Sequence, residues 1–115
     1  MIAILFAAAV ASGAPTAPKA FVGAWYLGGD GEGADTCRVR LNAPPVIGGF
    51  QLVAAKVCAK VTPRAEDLYA WYVNPQGAVV MADPTRRAVL VLKPLVKGVW
   101  ATEGGDFDRL LLQRR

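Results

Sequence analysis

Short runs of alternating apolar and polar residues organise most of this chain. From Cys37 to Asn42 the alternation is clean: Cys37, Val39 and Leu41 fall on one side, Arg38, Arg40 and Asn42 on the other. That is the period-two signature of a strand with one buried face. Phe21–Leu27 reads the same way, with Phe21, Gly23, Trp25 and Leu27 sharing a face. Further strands are predicted at Phe50–Ala54, Tyr69–Val73, Ala78–Ala82, Ala88–Leu92, Gly98–Thr102 and Arg109–Gln113. Between them stand turn formers: Gly28-Gly29-Asp30-Gly31, Gly48-Gly49, Asn74-Pro75-Gln76-Gly77, Asp83-Pro84-Thr85-Arg86, Lys93-Pro94 and Gly104-Gly105-Asp106. KVCAKVTPRAEDL, residues 56–68, breaks the alternation, and it predicts a short helical turn before Pro63.

Short strands at regular spacing with hairpin-length turns predict an all-β antiparallel architecture. Eight of them in up-and-down order close a barrel that side chains can fill or that can hold one small ligand. Trp25, Leu27, Val39, Leu41, Val91 and Leu112 are large enough to fill it, which argues against a cavity. Trp71, with Trp25 and Trp100 on other strands, reads as core or barrel-end packing.

The two ends of the pattern differ from its middle. MIAILFAAAVA, residues 1–11, carries no charge. It is too short to span a bilayer, which takes roughly 20 apolar residues, and it fits the apolar region of a secretory signal peptide. Ala9-Val10-Ala11 supplies the small-x-small pattern for cleavage before Ser12. A cut after Ala14 would leave Pro15 at the new terminus, where proline is poorly tolerated. No cysteine follows the run to carry a lipid anchor, so a soluble, monomeric, periplasmic or secreted protein is expected. The division is then a signal peptide at 1–11, an extended trunk at 12–20 and a barrel at 21–115. The trunk, SGAPTAPKA, is biased by its prolines toward polyproline II.

Export changes the meaning of the two cysteines. An even count in an oxidising compartment reads as a disulfide, here Cys37–Cys58. Two cysteines and no histidine do not make a usual zinc site. The net charge of +4 is spread along the chain, with Arg86-Arg87 and Arg114-Arg115 as the only basic pairs. These read as solvated turn and terminus charges, not the clustered stripe that nucleic acid wants. Without histidine the usual general base is missing. Most of the nine acids lie in predicted turns and read as turn caps. Gly28-Gly29-Asp30-Gly31 leads into a strand and not a helix, so it is no phosphate loop. No catalytic residue and no cofactor is expected.

One resemblance spans the chain after residue 11. Gly23-x-Trp25-x-Leu27, Cys37-Arg38-x-Arg40-Leu41, Phe50-x-Leu52 running to Cys58, and Trp71 before a Pro-Gln-Gly turn resemble the bacterial alkaline proteinase inhibitor family. From Ala88 onward the likeness is one of strand pattern. The resemblance implies a lipocalin-like barrel with one disulfide, and inhibition of a serralysin-type zinc metalloprotease in the periplasm. It also implies that the trunk, Ser12, Gly13, Ala14, Pro15 and Thr16, enters the protease cleft, with the Ser12 amine reaching the target's zinc. This trunk is built of small residues where the family's carries larger ones. Rival readings are a lipocalin-like binder of a small apolar ligand and a cell-envelope interaction protein whose trunk is a tether.

Overall fold

The computed structural model describes residues 15–103 and 109–114. Eight antiparallel strands form a closed barrel in simple up-and-down order. They are β1 (Gly23–Gly29), β2 (Thr36–Val46), β3 (Gly49–Ala54), β4 (Ala70–Val73), β5 (Val79–Ala82), β6 (Ala88–Val96), β7 (Val99–Thr102) and β8 (Leu110–Gln113). Closure falls on β1, where Leu27 pairs with Cys37 on one side and with Leu112 on the other. A closed barrel leaves no exposed sheet edge. The predicted Gly104-Gly105-Asp106 turn lies outside the described residues.

Alternation puts one face of each strand inside. Trp25, Leu27, Val39, Leu41, Trp71, Val79, Met81, Leu92 and Leu112 are all at most 3% exposed and form one core cluster. At about 25 cal/mol per Å² of apolar surface removed from water, this packing is the main favourable contribution to the fold.

The predicted interior residue Val91 faces outward, at 38% exposure, while Leu92 is fully buried. Ala88–Leu92 is apolar at every position, so local alternation does not set its phase. The pairing with β5 does: Met81 lies opposite Leu90, and Val79 opposite Leu92. Lys93-Pro94, expected as a break, lies within β6. Pro94 pairs with Trp100 beside a register shift before Val96, an irregular step where a missing N–H is tolerated. The actual reversal is Lys97-Gly98, with Gly98 at φ +80°, a conformation that favours glycine in a two-residue hairpin.

The segment between β3 and β4 is more structured than a single turn. Lys56–Lys60 and Ala65–Asp67 form two 3₁₀ turns. Cys58, Ala65 and Leu68 of this stretch belong to the core cluster, and Val61 packs against it. The stretch thus closes the barrel end opposite the start of β1. Cys58 is bonded to Cys37, with Cα atoms 5.1 Å apart, which ties the closing segment to the head of β2. The loop spans 22 residues counting both cysteines (37 through 58), and closing it removes about 3 kcal/mol of chain entropy from the unfolded state.

Candidate functional site

The barrel end where β1 begins is built from aromatic rings. Trp25 is brought there by β1, Trp71 by β4 and Trp100 by β7. Phe21 stacks on Trp25 with centroids 6.0 Å apart, meets Trp100 edge-on at 5.1 Å, and lies 6.5 Å from Trp71. Trp25 and Trp100 are themselves edge-to-face at 5.5 Å. Such geometries add about 0.5–1.5 kcal/mol per pair beyond the area they bury. Each indole N–H donates to a backbone carbonyl: Trp25 to Phe21 (2.8 Å), Trp71 to Asn42 (3.0 Å) and Trp100 to Gly77 (3.1 Å). The rings therefore secure the chain segments around them as well as filling space.

The chain before β1 is anchored on this cluster. Phe21, predicted to begin the first strand, belongs instead to a turn. Its N–H donates to the Pro18 carbonyl (3.0 Å), and Val22 N–H to that of Lys19 (3.3 Å). Further back, Pro15–Pro18 has no regular secondary structure. Pro15 and Thr16 are exposed, whereas Ala17 is 6% exposed and joins the core cluster. Pro15, Thr16, Ala17, Lys19, Val22 and Ala43 line a surface groove of about 420 Å³. Ser12, Gly13 and Ala14 lie outside the described residues.

Arg114, read from sequence as a solvated terminal charge, reaches back to this turn. Its Nη2 donates to the carbonyls of Ala20 (2.9 Å) and Val22 (3.0 Å). Its guanidinium lies over the Trp25 ring, Cζ 4.4 Å from the centroid, a cation–π arrangement. Gly23 makes room for it. This residue sits at φ +133°, and a Cβ there would stand 2.9 Å from Arg114 Nη1. The Gly-x-Trp pattern is thereby explained: the glycine admits the arginine, and the tryptophan supplies its platform. Phe21 was read on the face of Trp25, where its ring lies, though in a turn and not in the strand. Ala17 and Arg114 are the site residues that strand reasoning missed, and neither carried a local signal.

The acidic side chains that the structure pairs do turn and ion-pair work. Asp83 Oδ1 accepts from the backbone N–H of Thr85 (2.9 Å) and Arg87 (3.0 Å) and from the Thr85 hydroxyl (2.6 Å). The Thr85 hydroxyl, followed by the Arg87 N–H, holds the Asp83 carboxyl below its ordinary value of 3.8. Asn74 Oδ1 plays the same part toward Gln76 and Ala78. Asp30 pairs with Arg109 (2.6 Å), joining the end of β1 to the start of β8. Glu103 pairs with Lys93 (2.8 Å), and that bond lowers its carboxyl as well. Among the described residues no three His, Cys, Asp or Glu side chains converge as a metal site.

What this geometry defines is a small closed barrel with a filled interior and an N-terminal segment anchored at one end of it. The chain belongs to the family described as protease inhibitor Inh, the bacterial alkaline protease inhibitors, whose profile matches residues 15–114. A comparison with curated proteins finds no match. Members of this family are protease inhibitors, not themselves catalytic, so a protease is the implied partner. The disulfide and the family together fit an extracellular or periplasmic location.

Proposed function

We propose that this protein inhibits a secreted zinc metalloprotease of the serralysin type, in the periplasm or outside the cell, by inserting its N-terminal trunk into the active-site cleft. The inserted residues are Ser12, Gly13, Ala14, Pro15 and Thr16, and the α-amine of Ser12, freed by removal of residues 1–11, binds the target's zinc. The observation that carries this reading is the anchored arm: Ala17 is buried and the chain ahead of it, at Thr16 and Pro15, is exposed. A catalytic zinc keeps an open coordination position, which an unprotonated amine fills. Proline-stiffened chain loses less entropy on binding than flexible chain. The small side chains of the trunk fill little of a protease's subsites, so affinity rests on the metal contact and on how firmly the arm is held. A binder of small apolar ligands gains no support from the interior, which Trp71, Met81 and the surrounding aliphatic residues occupy.

The test is an inhibition constant against one serralysin-type protease for three forms: the chain beginning at Ser12, the same chain lacking Ser12–Thr16, and the chain with one residue added before Ser12. The shortened form loses inhibition and the extended form inhibits more weakly, while both keep the circular dichroism of the barrel. Because α-amines titrate near pH 8 and the metal must displace the proton, inhibition weakens as pH falls from about 8 toward 6, after subtracting the protease's own titration. Full inhibition by the shortened chain would show that the trunk is only a tether.

A further inference from the structure

An arm that delivers an amine to a metal works only if its base is held still. The described arm has no strand partner; it is held to the barrel by buried Ala17, by the Phe21 ring and carbonyl on Trp25 and Trp100, and by Arg114, while two turn hydrogen bonds at Phe21 and Val22 shape the arm itself. From these contacts we infer that Arg114 is a positioning residue for inhibition. It latches the Ala20–Val22 backbone against Trp25 and so fixes the direction in which the trunk leaves the barrel. The inference rests on the trunk reading above.

Lever length makes the latch matter. Five residues, Ser12 to Thr16, reach about 17 Å when extended at roughly 3.3–3.6 Å each. A rotation of about 15° at the base then moves the tip by about 4 Å, whereas a zinc–nitrogen bond is about 2 Å long. Holding the base moves that search from the encounter with the protease into folding, which is how preorganisation raises affinity. The chemistry also calls for arginine. Its planar fork lies on the Trp25 face while its in-plane N–H groups reach the Ala20 and Val22 carbonyls. Lysine is a point charge and cannot do both. Gly23 is consistent with the assignment: a Cβ there would stand 2.9 Å from Nη1, so the guanidinium would have to shift, and the φ of +133° favours glycine at this position.

The experiment compares Arg114→Ala and Arg114→Lys with the unaltered chain in three measurements: the inhibition constant, the thermal midpoint, and the rate of tryptic cleavage after Lys19 followed by intact mass. Lys19 is exposed and precedes the carbonyl that Arg114 binds. For Arg114→Ala the expected results are an inhibition constant raised on the order of 10- to 100-fold through lost preorganisation, faster cleavage after Lys19, and a melt within a few degrees of the unaltered chain. Arg114→Lys falls between. Unchanged inhibition by Arg114→Ala, in a protein whose trunk deletion abolishes inhibition, overturns the inference. If the trunk deletion itself leaves inhibition intact, the trunk reading fails separately. The latch is then judged on cleavage, and an unchanged rate after Lys19 refutes it.

Discussion

Replacing Trp25 by alanine is the most direct way to ask whether the aromatic end of the barrel holds the fold together. The side chain is 3% exposed, stacks on Phe21, meets Trp100 edge-on and donates through Nε1 to the Phe21 carbonyl. A buried tryptophan removes about 150–250 Å² from water, or about 4–6 kcal/mol at 25 cal/mol per Å². Measured aromatic-to-alanine truncations give about 3–5 kcal/mol, and we adopt that range because the surroundings relax into part of the space. For a domain of about 100 residues this lowers the melting midpoint by about 12–20 °C, at roughly 4 °C per kcal/mol. Trp25→Phe keeps most of the ring area and loses the N–H bond, so its expected cost is about 1–2 kcal/mol. The assay is chemical denaturation followed by far-ultraviolet circular dichroism, because fluorescence changes with the substitution itself. An unaltered midpoint for Trp25→Ala would refute the packing argument. Equal losses for alanine and phenylalanine would show that the hydrogen bond dominates, not the buried area.

Three further outcomes follow from named contacts. Replacing both Cys37 and Cys58 by serine lowers stability by about 3 kcal/mol, from the loop entropy restored to the unfolded chain; a denaturant midpoint matching that of the oxidised protein would count against it. Gly23→Ala costs more than the roughly 1 kcal/mol typical of a point substitution, because it meets both the φ of +133° and Arg114 Nη1; in an Arg114→Ala background the loss shrinks, which a double-mutant cycle reads. Asp83 has a lowered carboxyl pKa, so its contribution to stability is present above the ordinary value of 3.8 and is lost as pH falls below it. Asp83→Asn, which keeps a carbonyl acceptor for the turn, therefore flattens the stability profile below about pH 4, and an unchanged acid limb in denaturant titrations contradicts this.

Much of the architecture was legible in the chain because it rests on local rules. Period-two alternation at Cys37–Asn42 and the turn chemistry at Asn74–Gly77 and Asp83–Arg86 act over a few residues, and all eight strands were readable from such signals. The cysteine pair was readable by count. Where local information was degenerate, the reading failed. The uniformly apolar Ala88–Leu92 left its phase to be set by pairing with β5, so Leu92 and not Val91 points inward. Pro94 looked like a break, yet a register shift in β6 accommodates it.

The anchoring of the arm was not legible for a different reason. Arg114 and Ala20 are 94 positions apart, and no periodicity links them. They meet because β8 closes the barrel against β1, bringing the end of the chain beside the start of the first strand. The sequence alone therefore determined which segments become strands, which residues cross-link and that a proline-containing segment without strand alternation precedes the barrel. Only closure of the barrel decided what holds that arm, since contacts between the two ends of a chain exist only once every strand between them has found its neighbour.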